Sequence, residues 1–190
     1  MRTVYPGILL GALLLTGCSS SDGTSVGDSK KMDMQEAAER ADKILDGTFA
    51  AIKPTVHWTH GESTEGSCDV SRRRAVMTVI SEARRGSFLG VVERYWKSQG
   101  YSQIGINRNA KSPAMYFQTP DEFNMRLLIG DNGQAFFEVA TPCVEKSSVS
   151  PPTSKTVGPN YAGKPTPDPN VHSDFWSSGG PVPSSSPSGS

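Results

Sequence analysis

The sequence is short of most of what announces chemistry. Its 190 residues hold three cysteines and three histidines. No H-E-x-x-H, P-loop or dinucleotide fingerprint occurs, so the metalloprotease and nucleotide-binding classes those motifs mark are left without support. Neither sign of charge is in excess, with 19 Lys and Arg against 19 Asp and Glu. That balance gives no basic footprint for nucleic acid. No apolar run approaches the roughly 20 residues needed to span a bilayer as a helix. Hydrophobic residues make up only 35%, and 19 Gly and 14 Pro interrupt the pattern, so part of the chain is expected to lack a packed core. The length suits one ordinary domain.

What is present begins with an address. Arg2 precedes a Pro6-Gly7 break and an apolar run from Ile8 to Leu15, of the length of a signal-peptide hydrophobic region. The run ends in Leu15-Thr16-Gly17-Cys18, an aliphatic residue, two small ones and a cysteine. This segment resembles the lipobox of bacterial lipoproteins. The resemblance implies that residues 1–17 are a signal peptide, that the Cys18 thiol carries diacylglycerol, and that Cys18 becomes the first residue of the mature chain. Two acyl chains suffice for stable retention where one is marginal. Residues 18–31, rich in Ser, Gly and Asp, read as a lipidated flexible tether.

Patterned sequence runs over 32–145. The last 45 residues hold nine prolines, twelve serines and five glycines without hydrophobic period, so 146–190 is predicted to be a disordered tail. Only His172-Ser173-Asp174-Phe175-Trp176 interrupts it, as a short segment suited to docking or to nothing. Within the domain, apolar residues at three- and four-residue steps from Met34 to Ile52 predict an amphipathic helix stopped by Pro54. Thr55–His60 and Val70–Ile80 read as a hairpin with a long loop. A second helix is predicted from a Ser87 cap to a left-handed Gly100, with Phe88, Val91, Val92, Tyr95 and Trp96 as its stripe. A strand over 101–107 follows, with Ile104 and Ile106 expected on one face.

Register can be tested against pattern in the last part. A three-residue loop at Asp131-Asn132-Gly133, with Gly133 left-handed, pairs Met125 with Val139 and Leu127 with Phe137. It also sets Arg126 against Glu138, an opposite-charge pair. The same logic at Pro120-Asp121-Glu122 pairs Phe117 with Met125, with Glu122 where glycine is more comfortable. The result is a meander at 114–119, 123–130 and 134–141. The order α-β-β-α-β-β-β-β predicts an α+β fold with two helices on one side of an antiparallel sheet.

With Cys18 lipidated, Cys68 and Cys143 remain, an even number in a chain that has left the reducing cytosol. A bridge between them is expected. The rival roles, thiolate nucleophile and metal ligand, lack a C-x-x-C or a Cys-His arrangement. His57-Trp58-Thr59-His60 with Glu62 or Asp69 is the one tempting metal or acid–base cluster, joined by Glu65 in the same loop. Strand geometry puts His57 and His60 on opposite faces, which works against chelation, and neither a metal nor a cofactor is expected. Arg72-Arg73-Arg74 and Arg84-Arg85 are the densest basic points, read as solvated ends or an anionic contact. Finally, the sheet face opposite the core carries Tyr116, Arg126, Leu128 and Phe136, with Trp58 as a possible neighbour. It is too apolar for bare solvent, so a cover is expected, with the first helix, the C-terminal tail and a partner protein as the candidates and the protein's own elements favoured.

The Tyr95-Trp96…Gly100-Tyr101, Thr119-Pro120-Asp121, Asn132-Gly133-Gln134 and Thr141-Pro142-Cys143-Val144 segments, with the lipobox, resemble the small secreted lipoproteins of actinomycetes. That resemblance implies an extracytoplasmic membrane address and a single disulfide-linked domain, and supplies no catalytic residue. The expected function is non-enzymatic: a domain anchored in the bilayer through acylated Cys18, binding an envelope protein or wall polymer and not nucleic acid. A carrier of a small apolar ligand would need an enclosed apolar cavity between helices and sheet. An envelope hydrolase would need His57 or His60 to meet Glu62 or Asp69.

Overall fold

The structure, a computed structural model, describes residues 31–130 and 132–179. Residues 1–17, read above as a signal peptide, Cys18 and almost all of the expected tether lie outside the described residues, as do Asp131 and residues 180–190.

Two helices pack on one face of an antiparallel sheet. Helix α1 (Met34–Ala51) starts at a capping box: Glu36 N–H donates to the Asp33 carboxylate, while the Glu36 side chain accepts from Asp33 N–H. Its stripe of Ala37, Ala41, Ile44, Leu45 and Phe49 is buried. Helix α2 (Glu82–Ser98) has its N-cap at Ser81, six residues before the predicted Ser87 cap. The earlier start brings Arg85 into the buried stripe with Phe88, Val92 and Trp96. Gly100, at φ 77°, turns the chain out of α2 as expected. Gly47 lies where the two helices meet: the Tyr95 hydroxyl occupies the place a β-carbon would take.

The strands are β1 (Trp58–His60), β2 (Thr64–Glu65), β3 (Val70–Val76), β4 (Ser102–Asn107), β5 (Ala114–Gln118), β6 (Asn124–Ile129) and β7 (Ala135–Ala140). Their order is β1-β3-β7-β6-β5-β4, with β2 beside β3. The short β2 was not foreseen, because two exposed residues carry no period. The meander registers are as argued from pattern. Met125 pairs with Val139, Leu127 with Phe137, Arg126 with Glu138, and Phe117 with Met125. Gly133 and Glu122 both have positive φ, at 72° and 68°.

The core between helices and sheet is a stack of rings. Phe137 is 4.8 Å from Phe49, 6.2 Å from Phe88 and 6.4 Å from Trp96. Trp96 also donates its indole N–H to the Thr48 hydroxyl, 2.9 Å away, so its one polar atom is satisfied inside. The Cys68–Cys143 disulfide, with Cα atoms 4.8 Å apart, joins the entry of β3 to the exit of β7.

The predicted disordered tail requires correction for residues 146–179, which follow the domain as an extended strap. Trp58 N–H donates to Val157 O, and Val171 N–H to Met77 O. Trp176 is fully buried, edge-on to Phe88 at 5.1 Å, and donates its indole N–H to Pro54 O at 2.6 Å. Composition misled here because one large ring and a series of backbone hydrogen bonds hold a Pro- and Ser-rich segment that has no periodic face. The described core is built from residues from Met32 onward.

Candidate functional site

The strand alternation divides the sheet into a helix face and an open face. On β3 the helix face takes Val70, Arg72, Arg74 and Val76, since Arg72 pairs with Val139 and Arg74 with Phe137. Two of the three arginines expected at the surface are therefore inside. They meet carboxylates from α1: Arg72 Nε is 3.3 Å from Asp42, and Arg74 Nη2 is 2.6 Å from Asp46. The match is geometric. Four residues of helix rise about 6 Å and two residues of strand about 6.8 Å, so Asp42/Asp46 and Arg72/Arg74 form two rungs at nearly equal spacing.

The tail is locked into these rungs. Arg72 donates to Ser150 O at 2.6 Å, and Arg74 to the Ser154 hydroxyl at 3.0 Å. His60 Nε2 lies 2.8 Å from Ser154 O. The Arg74 guanidinium also stacks 4.1 Å from the Trp58 ring. Burial pushes the Asp42 carboxyl above its ordinary value, outweighing the downward pull of Arg72 and Arg74. Burial likewise lowers Arg74, against the opposing pull of Asp46. The cluster is a structural joint among α1, β3 and the strap.

Trp58 belongs to this interior. It is 4% exposed and stacks on Phe49 at 5.1 Å, so its expected place on the open face is corrected. The cause is parity: Trp58 pairs with Val76, a helix-face residue. His57 and His60 do not converge. His60 is buried beside Trp58, whereas His57, outside the strand, has its Nδ1 beside Gly158. Glu62 is exposed and Asp69 half-buried. Among the described residues no three His, Cys, Asp or Glu side chains gather into a metal-sized group.

The other four face residues are where pattern placed them. Tyr116 pairs with Arg126, Arg126 with Glu138, and Leu128 with Phe136, all on the side away from the helices. Tyr116 is 38% and Phe136 36% exposed; Arg126 and Leu128 are half-buried. Glu138 is the electrostatic centre, with Arg126 at 2.6 Å and Arg73 at 3.2 Å. The strap covers only one side of this face: Tyr161 N–H donates to the Thr59 hydroxyl, and Thr59 and Ala75 are buried there. Beyond it, Ile104, Tyr116, Asn124, Met125, Arg126, Glu138 and Ala140 line a shallow depression of about 340 Å³. Ile104, expected on one face with Ile106, instead joins the open face through a bulge: pairing jumps from Gln103–Phe117 to Gly105–Tyr116, and Ile106 pairs with Met115 of the helix face. An extra residue shifts strand parity there, and no periodic signal marks it.

No described helix is long and apolar enough to cross a membrane. Comparison with protein family models, curated proteins and solved structures finds no match to this chain.

Proposed function

We propose that this protein is a lipid-anchored extracytoplasmic lipoprotein whose domain is a non-enzymatic interaction module, using the open sheet face to bind an envelope protein or wall polymer. The observation that carries the interaction reading is that face. Tyr116, Leu128 and Phe136 lie side by side around the Arg126–Glu138 pair, and the strap that buries the neighbouring Thr59 and Ala75 stops short of them. An apolar patch with a charged centre gives both binding area and orientation. The anchor rests on Leu15-Thr16-Gly17-Cys18, and the Cys68–Cys143 bridge suits an oxidising compartment. The carrier alternative is not favoured, because packed rings of Phe49, Phe88, Trp96 and Phe137 fill the space a lipid ligand would need.

The test pairs two variants. Cys18→Ser is expected to leave the membrane fraction and lose labelled fatty acid. Tyr116→Ser with Phe136→Ser is expected to stay on the membrane, remain folded, and lose the cross-links that a photoreactive group at Leu128 makes in intact cells. Retention of those cross-links would remove the face from the account.

A further inference from the structure

We propose that the β4 edge of the sheet, with the β4–β5 loop, docks on the surface of a bilayer rich in anionic lipid. The inference rests on the lipoprotein reading, since thirteen residues separate Cys18 from Met32 and reach at most about 50 Å. An acylated Cys18 would thus keep the domain close to that surface.

The first observation is apolar exposure at the edge. Strand β4 ends the sheet order. It carries the two most exposed large apolar side chains among the described residues, Ile104 at 56% and Ile106 at 49%. The bulge places Ile104 on the Tyr116 side, whereas Ile106 pairs with Met115 and belongs to the helix face. A surface approaching the edge side-on therefore meets both.

The second observation is charge. From Arg94 to Pro120 the sequence has four cations and no acid. The acids bounding this stretch are engaged: Glu93 holds Lys97 at 2.6 Å, and Asp121 holds Arg40 at 2.8 Å. Arg94, Arg108 and Lys111 are exposed and form no ion pair among the described residues. Arg108 and Lys111 stand on a built loop. Asn109 Oδ1 accepts from Lys111 N–H at 2.9 Å, and Asn107 donates to Ser112 O at 3.1 Å. From beneath, buried Arg85 donates to Ala110 O and Lys111 O at 3.1 and 2.9 Å. Two apolar side chains flanked by fixed, unpaired cations match an anionic interface in both polarity and charge.

A second copy is the rival occupant of an open edge. Antiparallel pairing of two β4 strands would bring the Arg108 and Lys111 end of one copy against the Arg94 end of the other. Cation would face cation, and the bulge would break the ladder. Docked by this edge, the domain would leave the Leu128 and Phe136 part of its open face, on β6 and β7, free for the partner proposed above.

The experiment uses the unlipidated chain 19–190, which retains every described core residue. Co-sedimentation with phosphatidylcholine vesicles is compared with and without added phosphatidylglycerol. The chain is expected to pellet only with phosphatidylglycerol, and less as salt rises. Arg108→Gln together with Lys111→Gln is expected to weaken binding by at least tenfold, from about fivefold per cation. Ile104→Ser with Ile106→Ser is expected to weaken it too, whereas Phe175→Ser on the strap leaves it unchanged. Equal pelleting with both vesicles, no pelleting, or a solution dimer broken by the isoleucine substitutions would overturn the proposal. Fatty-acid labelling at Cys18 is read separately: a labelled chain whose unlipidated form does not pellet loses only the docking, while an unlabelled one loses the lipoprotein reading.

Discussion

Arg74 concentrates the energetics of a single residue. Its side chain is fully buried, stacked on Trp58, and bonded to Asp46 and Ser154. Removing one partner of a buried pair costs about 3–5 kcal/mol. Asp46 is half exposed and can turn to water, so Arg74→Ala is expected near the lower end, about 3 kcal/mol, by urea unfolding. Asp42 gives a pH-dependent counterpart. Its folded-state pKa is raised above the ordinary 3.8, chiefly by burial. The native state therefore holds that proton more tightly, and the associated stability is lost as pH rises through the raised value. Asp42→Asn lacks this term, so its stability relative to wild type should improve from pH 3.8 upward across the window. A relative stability that falls with pH would contradict the assignment.

At the scale of elements, turns and strap invite the sharpest tests. Glu122 sits at φ 68°, a conformation glycine adopts freely, so Glu122→Gly is expected to stabilise the domain by about 1 kcal/mol. Gly133→Ala should destabilise it, since φ is 72° and the Ile80 carbonyl crowds the place of a β-carbon. The strap depends on one ring: Trp176→Ala is expected to cost about 3–5 kcal/mol and to open residues 155–170 to protease. Unchanged denaturation and proteolysis would show the strap to be ornamental. These elements also mark what sequence could disclose. Both positive-φ turns and the meander registers were legible, because a one-residue slip would have put Met125, Leu127 and Phe137 on the wrong face. Residues whose burial depends on long-range partners were not. Arg72 and Arg74 look solvated until α1 brings Asp42 and Asp46 over them. Trp58 and Trp176 have no local period to declare which way they face. Of the candidate site, Tyr116, Arg126, Leu128 and Phe136 were readable from alternation, and Ile104 was lost to the bulge.

For the whole molecule, the disulfide and the address are linked claims. Cys68 and Cys143 are separated by 75 residues, and closing so long a loop is worth up to about 4.5 kcal/mol on the chain-entropy account. Cys68→Ser with Cys143→Ser should lower stability by part of that amount while leaving the ring-packed core folded. The anchor hypothesis depends on the other cysteine. Its most direct measurement is mass spectrometry of the amino-terminal peptide from protein purified out of its native membranes. The account predicts a chain that begins at Cys18 and carries a diacylglyceryl group on that sulfur. A chain that retains the residues before Cys18, or that begins there with an unmodified thiol, would contradict it.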